Sequence, residues 1–154
     1  MLIDSFLELS LGKSARAAKT FRADEDFLED HFPGFPVVPG VLITEAMGQT
    51  AGWLVAATLE FRRWPFLSMV ERAKFRRFLK PEVEVLLDAE IVEVRGDDYV
   101  VKTGAEAGGE RIAEARLVLH AFTSMPGDGA IGKAAFDAWA RETYSRLAPA
   151  VTHA

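Results

Sequence analysis

Cysteine is absent from the 154 residues, which removes disulfide scaffolds, thiol nucleophiles and thiolate metal sites together. The N-terminus, Met1-Leu2-Ile3-Asp4, has neither a basic flank nor a sustained apolar core, so no signal peptide is expected. No uninterrupted membrane span is present either. The nearest stretch, residues 37–59, is broken by Pro39, Glu45 and Gln49. A cytoplasmic location is expected. Excess positive charge is also missing: the net charge of −5 and pI near 5.2 argue against nucleic acid as the partner. What remains is an ordinary soluble composition, 49% apolar and 27% charged, long enough to bury one core.

The most informative stretch runs from His31 to Gln49, His-Phe-Pro-Gly-Phe-Pro-Val-Val-Pro-Gly-Val-Leu-Ile-Thr-Glu-Ala-Met-Gly-Gln. Pro33, Pro36 and Pro39 fix φ and remove amide donors, so the first half is neither helix nor ladder strand. From Val41 to Leu59 apolar residues occupy nearly every face of a helical wheel, which predicts a buried helix ~30 Å long. Glu45 and Gln49 stand four apart on one face of it. A carboxylate inside such a rod is costly unless partnered. A core Glu45 bonded to Gln49, with His31 a mere loop residue, is the plainer alternative.

A base-type residue, a Gly-led helix start and an acid-type residue within fifteen positions resemble a known motif. The pattern His-Phe-Pro-Gly, two residues, Val-x-Pro-Gly-Val-Leu, two residues, Glu-Ala-Met-x-Gln is that of the 3-hydroxyacyl-acyl-carrier-protein dehydratases, FabZ type, with the FabA type a near relative. Ala73-Lys74-Phe75-Arg76-Arg77 is similar to a second family segment, and weaker similarity covers residues 1–124. The resemblance implies an α+β hotdog fold, an antiparallel sheet wrapped around one long helix. It also implies a homodimer with two active sites across the subunit interface, and further stacking of dimers is left open. Three departures stand out: Asp30 for the usual Gly, Phe35 for Arg, and Val38 for Met. A carboxylate approaching the ring from Asp30 would favour the charged imidazole. Relatives usually begin several residues earlier, with a Pro-His-Arg-Tyr-Pro-Phe type segment that helps close the substrate region.

Strands are expected at 2–11, 15–21, 66–75, 82–94, 99–107 and 111–122, with Arg62-Arg63-Trp64-Pro65 breaking the pattern. The 82–94 run alternates Val83, Val85, Leu87, Ala89 and Ile91 against Glu82, Glu84, Asp88 and Glu90, as a half-solvated antiparallel strand does. Gly96-Asp97-Asp98 and Gly108-Gly109 are hairpin signals. His120 lacks a carboxylate or second histidine at ligand spacing and reads as structural; no metal site is expected. Residues 1–124 form the hotdog unit. A linker at 124–132 leads to a helix carrying Phe136, Trp139, Ala140, Thr143 and Leu147 on one stripe, set either against its own sheet or dimer mate or as a partner-binding arm. Residues 150–154 are expected to fray.

Dehydration of a 3-hydroxyacyl thioester needs a base at C2, an acid at the C3 hydroxyl, and donors for the developing enolate. His31 is the candidate base, and a buried, protonated Glu45 the candidate acid. Gly40 opens the helix, where unpaired amides and the positive dipole end gather. The resemblance assigns the Gly40 amide to the thioester carbonyl, the Val37 carbonyl to orienting His31, and Gln49 to holding Glu45. It places His31 and Glu45 on opposite subunits, with no cofactor. Seven basic residues and one acidic lie between Arg62 and Lys80. They read either as a solvated face or, through Arg72, Lys74, Arg76, Arg77 and Lys80, as a dock for an acidic acyl carrier protein or the phosphate of a coenzyme A thioester. A hotdog thioesterase, an enoyl-CoA hydratase, a double-bond-isomerising FabA-like enzyme and a non-catalytic acyl-binding or assembly subunit remain alternatives.

Overall fold

The computed structural model describes residues 1–123 and 130–147. Its elements are β1 (Ser5–Ser10), β2 (Ser14–Thr20), a 3-10 turn at Asp26–Leu28, α1 (Gly40–Thr58), β3 (Trp64–Phe75), β4 (Glu84–Arg95), β5 (Asp98–Ala107), β6 (Glu110–Phe122) and α2 (Ala130–Leu147). One antiparallel sheet holds all six strands in the order β1-β2-β4-β5-β6-β3. The architecture is the α+β hotdog expected from the sequence. Among the described residues no helix is long and apolar enough to cross a membrane.

Each β4 residue expected to face inward between Val85 and Ala89 does so: Val85, Leu87 and Ala89 are buried. Val83 lies before the strand and is partly exposed. The β4–β5 turn closes at Gly96, whose positive φ of 62° a side chain would resist. Register shifts interrupt four of the five strand pairings, two of them along β3, between Leu67 and Met69 and between Val70 and Arg72. Such bulges bend and twist a sheet. The bent sheet packs β2, β3, β4, β5 and β6 against α1. Ile43, Met47, Thr50, Leu54 and Val55 of the helix are thereby buried, and Thr50 satisfies its hydroxyl by donating to Ala46 O at 2.9 Å.

Two expectations need correction. Trp64-Pro65 does not break the chain but begins β3, with Pro65 registered against Ala121. An edge strand tolerates a proline because one side of it needs no amide donor. His120, read without an acidic neighbour, has one across the ladder: its Nδ1 lies 2.6 Å from Asp98 Oδ1.

The C-terminal helix begins at Ala130, inside the stretch expected to be linker. Residues 124–129 and 150–154 lie outside the described residues. α2 packs on its own protomer, burying Ala140, Thr143 and Leu147. The Trp64 indole N–H donates to Asp137 Oδ1 at 2.7 Å, and the Tyr144 ring meets Phe61 edge-on at 4.9 Å. Burial pushes the Tyr144 phenol above its ordinary value.

Leu54 is fully buried at the centre of α1. Leu54→Ala is expected to lower the unfolding free energy by about 2–5 kcal/mol, measured by urea denaturation. A loss below half a unit of kcal/mol would mean that the sheet does not enclose this helix.

Candidate functional site

The histidine loop is built by its prolines and one glycine. Phe32 and Phe35 exchange backbone hydrogen bonds of 3.1 and 2.9 Å around Pro33-Gly34, with Gly34 at φ +76° as a type II turn requires. The turn folds Val37 back onto His31. Val37 N–H donates to His31 O at 2.8 Å, and the His31 ring Nδ1 lies 3.0 Å from Val37 O. A carbonyl can only accept, so Nδ1 carries the proton and Nε2 is left with its lone pair free. The ring is half-buried and stacks on Phe32 at 4.5 Å. Val37 and Val38 are buried, and Val38 N–H donates to Leu79 O at 2.8 Å, anchoring the loop beyond β3. Asp30 is exposed and forms no ion pair with His31; the only described histidine so paired is His120.

Pro39 caps α1, and its carbonyl accepts from Leu42 and Ile43 at 3.0 and 3.3 Å. The amides of Gly40 and Val41 come before any carbonyl the helix could offer them. Gly40 is glycine for a visible reason. A Cβ there would come within 3.0 Å of the Phe75 ring, which β3 lays over the helix start. The helix end is thus approached closely by one aromatic ring and presents open backbone donors beside it.

Glu45 departs from expectation: it is exposed in the protomer, not buried. The sheet covers one side of α1, and the other side carries Val41, Glu45, Gly48 and Gly52, whose small or projecting side chains give the fold nothing to pack on. The carboxylate is nonetheless fixed. Gln49 Nε2 donates to Glu45 Oε1 at 3.0 Å, while Gln49 Oε1 accepts from Leu2 N–H at 2.8 Å. With its oxygen committed to a backbone amide, the Gln49 side chain can offer only its NH₂ to the carboxylate. A groove of about 410 Å³ starts at Glu45 and runs along this bare side. His31 does not line it, so within one protomer the two candidate catalytic groups do not share this groove.

Much of the basic segment is already neutralised. Arg76 pairs with Glu114 at 2.9 Å and Arg77 with Glu110 at 2.7 Å, and the Arg76 hydrogen bond holds the Glu114 carboxyl below its ordinary value. Arg72, Lys74 and Lys80 are exposed and form no ion pair among the described residues. No group of three or more potential metal ligands occurs among the described residues.

Residues 1–116 match the FabA-like domain. The chain belongs to the FabA-like family. Among curated relatives, the 3-hydroxyacyl-[acyl-carrier-protein] dehydratase FabZ of Thiobacillus denitrificans is 41% identical over 123 residues, covering 77% of this chain and 84% of the relative. The FabZ of Caldicellulosiruptor saccharolyticus is 33% identical over 119 residues, covering 77% and 85%. In structure, an uncharacterized protein of Pyrococcus horikoshii superposes with a TM-score of 0.66 at 16% identity, covering 83% of this chain and 89% of that one. A chain of the dehydratase heterocomplex ApeI:P from Xenorhabdus doucetiae gives 0.57 at 19% identity, covering 70% and 88%. These two likenesses speak for the fold.

In this FabA-like chain four participants did not stand out from the sequence motif. The Leu2 amide orients Gln49, the Phe75 ring crowds Gly40, and Trp53 and Trp139 stand at the far end of the Glu45 groove. Phe75 had a signal in its place in the Ala73–Arg77 segment, and Trp139 in the C-terminal helical stripe, though not for the groove it lines; a backbone amide leaves none.

The Val37 clamp is open to direct measurement. In the neutral ring, the ¹⁵N shifts of His31 are expected to show the proton on Nδ1. A ring protonated mainly at Nε2 would remove Val37 as its acceptor.

Proposed function

We propose that the protein dehydrates 3-hydroxyacyl thioesters to trans-2-enoyl thioesters during acyl-chain synthesis, acting as a homodimer on substrates carried by an acyl carrier protein. The observation that carries the proposal is the held imidazole: Val37 takes the Nδ1 proton and leaves Nε2 bare. Nε2 abstracts the proton at C2, and the electron pair moves through the enolate of the thioester. The Gly40 N–H donates to that oxygen at the positive end of α1. Glu45, steadied by Gln49, gives its proton to the C3 hydroxyl as the C3–O bond breaks, so that water leaves and the double bond forms. The imidazolium returns its proton to the carboxylate before the next turnover. The reverse sequence is hydration, and neither direction calls for a cofactor.

Two features support assembly across a dimer. Within a protomer His31 does not line the groove that Glu45 opens, and the acid sits on an uncovered helix side. Beside it β3 is an edge strand of 12 residues with Phe66, Leu67, Met69, Val70 and Phe75 all exposed. A long apolar edge of this kind is a template for pairing with another strand. A second copy laid along β3 would cover the bare side of α1 and seat its own His31 loop there. For the carrier, Arg72, Lys74 and Lys80 offer uncommitted cations to an acidic surface or a phosphate, with Arg76 and Arg77 contributing less because their carboxylate partners are close.

His31→Ala and Glu45→Gln are each expected to lower dehydration by at least ~10²-fold. Mixing the two inactive proteins after gentle dissociation and reassociation is expected to restore activity, to about one quarter of wild type for random pairing of a two-site dimer. Absence of any restoration in mixed dimers verified by mass spectrometry would show that the two groups do not meet across an interface.

A further inference from the structure

The groove that begins at Glu45 ends in aromatic rings, and half of that end comes from outside the FabA-like match. Its floor is the bare side of α1, where Gly48 and Gly52 have no side chains. A Cβ on Gly48 would meet nothing within 4 Å, and one on Gly52 only Leu119 at 3.8 Å. Apolar Phe66 and Leu67 of β3 line it further along. At the far end Trp53 of α1 stands 6.2 Å from Trp139, and Trp139 stands 5.4 Å from Phe136, which meets Trp64 edge-on at 4.8 Å. Phe136 and Trp139 belong to α2, beyond residue 116 where the family match stops. The Trp64–Asp137 hydrogen bond and the buried Ala140 and Thr143 hold α2 in this position.

We propose that α2 is a length stop, and that Trp139 with Phe136 restricts the enzyme to 3-hydroxyacyl chains of short to medium length. The proposal rests on the dehydration reading, because Glu45 at the hydroxyl-bearing carbon fixes where the tail starts. From Glu45 to Trp53 is eight residues of helix, ~12 Å at about 1.5 Å per residue. Contact between the terminal methyl and a ring takes up about 4 Å of that. The remaining ~8 Å, with extended carbons advancing about 1.25 Å each from bonds of about 1.5 Å, hold roughly six carbons past C3. Chains of about nine carbons therefore fit, ten lie at the limit, and a sixteen-carbon tail does not. The cavity of about 410 Å³ lies at the small end of ligand sites. Trp139 is 48% exposed despite its place in a packed aromatic block, as a ring that forms the wall of an open groove would be.

The test uses the full-length dimer with 3-hydroxyacyl carrier substrates of four to sixteen carbons, and kcat/KM is compared across lengths. Wild type is expected to favour chains up to ten carbons over sixteen by at least tenfold. Trp139→Ala is expected to raise the sixteen-to-four-carbon ratio at least tenfold. Gly52→Leu, which places a side chain midway along the groove, is expected to lower the ten-to-four ratio by a similar factor. In parallel, quenching of tryptophan fluorescence by saturated acyl-pantetheines of six, ten and sixteen carbons reads binding without chemistry. Equal ratios in wild type and Trp139→Ala would overturn the length stop while leaving dehydration intact. Length-dependent quenching without turnover would overturn the dehydration reading and keep the stop. Neither turnover nor quenching would remove both.

Discussion

A helix covered on one side and bare on the other is the constraint on which the molecule depends. α1 is apolar nearly all round, yet the bent sheet reaches only the side that carries Ile43, Met47, Thr50 and Leu54. Removing those side chains from water is what holds the sheet around the helix. The opposite side, with Glu45, Gly48 and Gly52, is left as the floor of a groove. The packed side and the groove are therefore two sides of one 19-residue element, and neither can be altered far without the other.

The polar groups around that element are positioned by backbone more than by one another. Val37 O fixes the His31 ring, Leu2 N–H fixes Gln49, and the first amides of α1 remain unspent because no helical carbonyl precedes them. Backbone groups sit on rigid elements and cost little further ordering, so they suit sites that must be ready before substrate arrives. Proline density serves the same end. Pro33, Pro36 and Pro39 leave the histidine loop few conformations, and the reciprocal Phe32–Phe35 bonds select one.

Legibility in the sequence followed the range of the interactions. The alternation in 82–94 led directly to β4, and the stripe of Ala140, Thr143 and Leu147 to the packed side of α2, since both are local periodicities. Trp64-Pro65 misled because a proline at the start of an edge strand looks the same in sequence as one that ends a pattern. His120 looked solitary because Asp98, twenty-two residues earlier, becomes its neighbour only through the β5–β6 register. Glu45 was read as buried because apolarity on every side of a helix does not say how far the surrounding strands extend.

By itself the sequence determined the class of the protein and picked out its candidate reactive groups. The spacing from His31 to Glu45, the Gly-led helix start and the alternating strands are short-range facts that no packing can change. Tertiary structure decided what those groups face: that Nε2 of His31 is the free nitrogen, that Glu45 looks outward from the protomer, and that α2 turns back to close the groove with Trp139. The physical reason is that side-chain chemistry is written residue by residue, whereas exposure, tautomer and the length of a cavity are set by whichever distant segment comes to rest alongside.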